Sequence, residues 1–270
     1  MRRLLLAGLL ASCPAAALGA EGSLKVITYN IAGLPAILSH GKPDRNTRQI
    51  ATRLDAYDLA FLQEDFHYDG ALHPGEDFPY RVAPRRHGLL DFGDGLSILS
   101  RSPLRSVTRV AWNRCHGVLD GKSDCLTPKG FSLAELTLGG AVVDVYDLHA
   151  DAGRSPGDAS ARQAQMEQLV AFMKTRPADR AVIVGGDLNM RLTDEAEFQT
   201  LLNGAGLTDS CRVMMCADQG RLDRILYRDG ARLRLAATAW RVARTDFLDA
   251  AGEPLSDHDP VAVRLDWIER

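Results

Sequence analysis

Residues 181–189 read AVIVGGDLN, an apolar run, two glycines, and then Asp187 and Asn189. A short apolar run of this kind fits a strand buried on both faces, and the polar residues fall where the chain leaves the core. Glycines lack a Cβ, so the backbone can turn closely, and Asp187 and Asn189, two apart, project together. Working outward, the same grammar recurs in LKVITYN ending at Asn30, LAFLQE ending at Glu64 and VVDVYDLH ending at His149. Polar groups so placed can converge on one rim while the apolar runs stay in the core.

Further strand-like runs lie at 96–99, 107–112, 131–138, 222–227, 233–242 and 260–265. Helical spacing is clearest over 159–175, where Met166, Leu169, Val170 and Met173 recur ahead of Pro177, and helices are also expected over 47–54 and 194–202. Strands outnumbering helices, with the helices between them, predict an α+β sandwich with helices outside two packed sheets. No repeat or low-complexity block divides residues 24–270, so one large domain is expected there.

Two more segments carry chemistry. LSDHDPV sets His258 between Asp257 and Asp259, and flanking carboxylates favour imidazolium, which suits proton transfer near neutral pH. RLDRILY contributes Asp223, whose bland alternative is a surface salt bridge with Arg221 or Arg224. Glu64 is a hard oxygen ligand of the kind that suits magnesium.

Together and in order, TYN, LQE, DLH, GGDLN, RLDRI and SDHDPV resemble the site motifs of the endonuclease/exonuclease/phosphatase superfamily. That superfamily includes deoxyribonucleases, abasic-site endonucleases, inositol polyphosphate phosphatases and bacterial sphingomyelinases C. The likeness spans 26–265, and ARQAQMEQL looks like the family's helix after the central histidine strand. It implies a four-layer α/β/β/α sandwich with two central sheets. It also implies metal-assisted hydrolysis of a phosphoester with Mg2+, Mn2+ or Ca2+, and no cysteine or serine nucleophile. By that resemblance Glu64 holds the metal with support from Asn30, and Asp257 is a further metal contact. His258 is the general base and Asp223 its orienting partner; Asp187 positions the water, while Asn189 and His149 donate hydrogen bonds to phosphoryl oxygens.

The substrate class stays open between a phospholipid head group, nucleic acid and a small phosphate ester. Asp65 and Phe66 after Glu64, where a phosphate-binding arginine could stand, favour a sphingomyelinase-C-like phosphodiesterase, although no exposed aromatic hairpin for lipid docking is evident. A secreted nuclease is disfavoured by the net charge of -3, which becomes -5 if Arg2 and Arg3 are removed with a leader. Arg81, Arg85 and Arg86, or Arg241 and Arg244, could form local basic patches, with a solvated face as the plainer reading. A soluble inositol-phosphate phosphatase and an inactive binding module of the same fold complete the alternatives; all the site residues being present argues against the last.

Arg2 and Arg3, the apolar run from Leu4 to Ala11, and the small residues ending at Ala20 read as a secretory signal over residues 1–20. Leu10, Ala11, Ser12 and Cys13 offer a second reading, a lipobox with an acyl anchor on Cys13. Both place the chain outside the cytoplasm, secreted or periplasmic, as a monomer without a membrane span and with at most peripheral membrane contact. Setting Cys13 aside leaves Cys115, Cys125, Cys211 and Cys216, which allow three pairings. Proximity favours Cys115 with Cys125 and Cys211 with Cys216 in an oxidising compartment.

Overall fold

The computed structural model describes residues 19–35, 41–72, 78–85, 93–117 and 125–270; the leader, Cys13 and Arg86 lie outside them. Two six-stranded mixed sheets face each other. The first runs β11 (Leu233–Val242), β12 (Val261–Glu269), β1 (Glu21–Asn30), β2 (Leu59–Gln63), β4 (Ser97–Ser100) and β3 (Tyr80–Val82). The second runs β5 (Leu104–Ala111), β6 (Gly130–Leu138), β7 (Ala141–His149), β8 (Ala181–Asp187), β10 (Asp223–Arg228) and β9 (Thr208–Asp209).

Each sheet holds one parallel pair joined through a helix, as parallel strands require a long crossover. In the first, β1 and β2 are joined through α1 (Pro43–Leu54); in the second, β7 and β8 are joined through α2 (Pro156–Met173). Parallel pairing brings strand ends level: Asn30 lies opposite Gln63, and His149 opposite Asp187. Two short helices, α3 (Glu195–Ala205) and α4 (Ser210–Val213), follow β8.

Alternation within the strands builds three apolar layers. Val26, Leu59, Phe61, Val143, Val145, Ile183, Ile225 and Val263 face one another between the sheets. Ile27, Tyr29, Ala60 and Leu62 point the other way, onto Ile50 and Leu54 of α1. Tyr146, Leu148, Val182 and Val184 meet Met166, Leu169 and Met173 of α2 and Phe198 and Leu201 of α3. This is the expected helix–sheet–sheet–helix sandwich.

Helices α1 and α2 begin earlier than their apolar spacing indicates, each opening on a proline, whereas α3 begins one residue later than expected, at Glu195. α2 starts at Pro156 behind Ser155, whose side chain accepts from the Asp158 backbone while Asp158 accepts from the Ser155 backbone. α1 likewise opens on Pro43.

Gly185 and Gly186 lie inside β8, so they do not make the turn expected of them. Their role is close approach. A Cβ on Gly185 would sit 2.1 Å from a ring carbon of Phe61 across the interface, and one on Gly186 would sit 2.3 Å from the Leu148 carbonyl oxygen. Gly185→Ala is therefore expected to lower stability by about 1–3 kcal/mol through overpacking, read as a drop in thermal midpoint; an unchanged midpoint would show that the Phe61 ring moves aside freely.

Both expected disulfides are present, Cys115–Cys125 and Cys211–Cys216, with Cα separations of 5.3 and 5.1 Å. Non-reducing peptide mapping should recover these two pairs, and free thiols at all four positions would remove this support for an oxidising compartment. Among the described residues no helix is long and apolar enough to cross a membrane.

Candidate active site

Along the central strands the face between the sheets changes from apolar to polar toward one pole. Val26 gives way to Thr28 and Asn30, Phe61 to Gln63, Val145 to Asp147 and His149, and Ile183 to Gly185 and Asp187. Register alone thus delivers Asn30, His149 and Asp187 to the same end of the sandwich. Asp223 joins them because β10 begins there, directly opposite Asp187. Glu64 follows β2 with φ of 57°, and Asn189 follows Asp187 with φ of 52°. Left-handed backbone at two non-glycine residues is costly and gathers at functional sites.

Asn30 joins the two sheets. Its Nδ2 donates to Glu64 Oε1 at 2.9 Å and to Asp187 Oδ2 at 3.1 Å. Its own position is set by Ser256, whose hydroxyl donates to the Asn30 carbonyl at 2.7 Å. Asn189 is held by its backbone N–H to Asp187 Oδ1 and by its amide to the Ala150 carbonyl, both at 3.0 Å.

His258 Nδ1 lies 2.9 Å from Asp223 Oδ2, and its Nε2 lies 3.7 Å from Asp187 Oδ2. The salt-bridge alternative for Asp223 does not form: Arg224 pairs with Asp209, and Arg221 with Asp218 and Asp259. Burial alone would push the His258 pKa down, but the hydrogen bond and charge of Asp223, then the charges of Asp187 and Asp257, raise it to about 10. The sequence neighbours are the lesser influence. Asp259 is engaged by Arg221 and Arg244.

His149 is almost wholly buried, with Nε2 3.5 Å from Asp187 Oδ2, while Trp112 Nε1 donates to its carbonyl at 2.7 Å. Burial, then the positive charges of Lys129 and His258, hold its pKa well below the usual imidazole value, which favours the neutral ring. The same cluster thus pushes its two histidines in opposite directions.

The carboxylates are crowded. Burial raises the Glu64 pKa against the Asn30 hydrogen bond, and burial plus the charge of Asp223 raises that of Asp187. Asp187, Asp223 and His258 each bring a donor atom within 4.8 Å of the others, and Asp223 Oδ1 is buried without a partner. The buried carboxylates of Glu64 and Asp187, both with raised pKa values, and the unpartnered Asp223 oxygen are donors that a hard divalent cation would relieve, so the carboxylates of this pole fit such an ion. Glu64 and Asp257 border a neighbouring cavity of about 430 Å³ with Leu34, Lys42, Asn46 and Leu255. Asp257 is solvent-exposed and does not belong to the Asp187–Asp223–His258 group, although its charge acts on His258.

Lys129 was not singled out by the motifs. It directly precedes β6, its Nζ lies 3.4 Å from the Ala150 carbonyl, and its charge acts on Glu64, His149 and Asp187. The proposed basic patch of Arg241 and Arg244 is instead a set of ion pairs, Arg241 with Asp246 and Arg244 with Asp259.

A two-sheet sandwich carrying an Asp–His pair and clustered carboxylates at one pole defines a class, and the family comparison agrees: residues 27–258 match the Endonuclease/Exonuclease/phosphatase family, to which the chain belongs. It is 35% identical over 273 residues to a sphingomyelinase of Mycobacterium bovis, covering 92% of this chain and 54% of that protein. The chain thus spans about half the length of the curated relative it matches. Among solved structures, sphingomyelinase C from Streptomyces griseocarneus aligns with a TM-score of 0.66 at 25% identity, covering 90% of this chain and 99% of that one. A beta toxin variant from Staphylococcus aureus with bound magnesium ions shares the fold, with a TM-score of 0.67 at 19% identity over 90% of this chain and 99% of that one.

Proposed function

We propose that this chain is an exported, magnesium-dependent phosphodiesterase of the sphingomyelinase C kind, hydrolysing the head-group phosphodiester of sphingomyelin. The observation that carries the reading is the convergence of Asn30, Glu64, His149, Asp187, Asn189, Asp223 and His258 on one pole of a chain 35% identical to a sphingomyelinase. Carboxylate oxygens suit magnesium, manganese and calcium alike, and the magnesium ions of the beta toxin structure favour the first. Two disulfides and the leader-like residues 1–20 support export, with a lipid anchor on Cys13 as the variant reading.

Glu64, supported by Asn30, would hold the cation, with Asp257 as a further contact. The bound cation supplies charge stabilisation for phosphoryl and leaving oxygens. His258 accepts the proton of the attacking water at Nε2, while Asp223 on Nδ1 fixes the ring and favours the imidazolium that results. Asp187, facing His258 and bonded to Asn30, positions that water. Neutral His149 and the Asn189 amide serve as hydrogen-bond donors toward phosphoryl oxygens. Lys129 adds positive charge to a pole otherwise dominated by carboxylates.

The deciding experiment is a panel of sphingomyelin, phosphatidylcholine, single- and double-stranded DNA, RNA and inositol phosphates, each with Mg2+ and with chelator. Sphingomyelin should be the best substrate, with phosphocholine released only in the presence of metal. Preferential cleavage of DNA or RNA would replace the lipid reading with a nuclease.

A further inference from the structure

Directly beneath the site lies a polar layer that the proposed chemistry does not use. Thr28, Gln63 and Asp147 are each fully buried, one step inward from Asn30, Glu64 and His149. Gln63 Nε2 donates to Asp147 Oδ1 at 2.6 Å and to Thr28 Oγ1 at 3.1 Å. The first of these bonds runs from β2 of one sheet to β7 of the other.

The same face is apolar one residue pair deeper, at Phe61 and Val145. A leucine pair at 63 and 147 would continue that layer and avoid burying an acid. Burial raises the Asp147 carboxyl well above the usual carboxylate range, against the Gln63 hydrogen bond, the charge of Arg109 and the Ser97 backbone, which lower it. Such a group weakens the fold relative to an apolar pair. Its benefit must therefore lie in geometry. The site straddles both sheets, with Asn30 and Glu64 carried by one and His149 and Asp187 by the other. Two apolar faces can slide by fractions of an ångström at little cost, whereas a short hydrogen bond is directional and fixes both separation and register.

We propose that Gln63 and Asp147 are positioning residues, whose hydrogen bond sets the two sheets at the spacing that places Glu64 opposite His149 and Asp187. The inference rests on the metal-dependent reading of that site. Neither residue touches substrate; each acts through the strand end it carries, Gln63 through the backbone that turns into Glu64, Asp147 through the strand that ends in His149.

The test separates positioning from stability by comparing three variants of the full chain. In Q63L/D147L the polar pair becomes apolar. The expected result is a metal-free thermal midpoint equal to or above wild type, together with Mg2+ affinity by calorimetry and kcat on sphingomyelin each about 10–100-fold lower, the usual range for residues that support metal ligands. Asp147→Asn keeps an oxygen acceptor for Gln63 and should stay within about threefold of wild type in both readouts. Asp147→Val removes the acceptor and should resemble the double variant. Wild-type Mg2+ affinity and kcat in Q63L/D147L would overturn the proposal. If the double variant does not fold, the single variants decide: loss with valine and retention with asparagine support positioning, and equal behaviour of the two overturns it. A wild-type chain that neither binds Mg2+ nor cleaves any substrate of the panel would instead overturn the functional reading beneath it.

Discussion

Glu64→Gln is expected to lower turnover at fixed Mg2+ by about a hundredfold, a loss of about 2.7 kcal/mol in transition-state stabilisation, with activity partly recovered at higher metal concentration. Glutamine keeps the acceptor that receives the Asn30 amide at 2.9 Å and removes the charge. The metal-free protein should respond in the opposite sense. Burial raises the Glu64 pKa, so folding favours its neutral form; stability from this group is greatest below its unfolded value and declines as pH rises through the folded one. At pH 7 the neutral glutamine is then no worse, and the metal-free thermal midpoint should equal or exceed that of wild type. Wild type should gain in midpoint on adding Mg2+, because the ion binds only the folded chain, and Glu64→Gln should gain much less. Activity indifferent to both chelator and this substitution would remove the metal assignment.

Much of this site was legible because a simple rule of strand geometry governs it. Polar residues directly after apolar runs, as in TYN, LQE, DLH and GGDLN, reach one pole when the strands carrying them are parallel neighbours. What stayed hidden depends on contacts between segments far apart in sequence. Lys129 follows Pro128 in a loop, and its approach to Ala150 is set by pairing of β6 with β7. Asp147 reads as one more polar residue in VVDVYDLH until the opposing sheet brings Gln63 to it. The pairing of Asp223 was ambiguous for the same reason, since Arg221 and Arg224 are nearer in sequence but the fold assigns them to Asp218, Asp259 and Asp209. The strands β3 and β9 are too short to leave a pattern, being three and two residues long. The glycines of GGDLN suit a close turn of the backbone after the strand; here packing against Phe61 and Leu148 requires them inside it.

His258→Ala should reduce kcat by about 10²–10⁴-fold with little change in KM, the range for losing a general base whose contribution develops in the transition state. The pH dependence makes the assignment specific. Only neutral imidazole accepts a proton, so kcat must rise with pH as His258 loses its own. In the metal-free protein Asp223 holds that pKa near 10 against the opposing effect of burial, and an NMR titration of the ring should find imidazolium through pH 8. With the neighbouring carboxylates neutralised by a bound cation the ring titrates lower, and the acidic limb of the loaded enzyme should lie below 10. Stability follows the same pair. Because the folded pKa exceeds the ordinary value of about 6.5, the contribution of the pair is complete below that pH and is lost as pH rises through about 10. The metal-free midpoint of wild type should therefore exceed that of His258→Ala most clearly near pH 6, with the gap narrowing toward pH 10. Asp223→Asn keeps a hydrogen-bonding partner for Nδ1 but no longer favours imidazolium, so its acidic limb should move to lower pH while its maximal kcat falls. Since the two side chains act as one unit at 2.9 Å, the double substitution should cost little more than His258→Ala alone. Fully additive losses, or a His258→Ala enzyme with normal turnover and an unshifted acidic limb, would place the proton acceptor on another group.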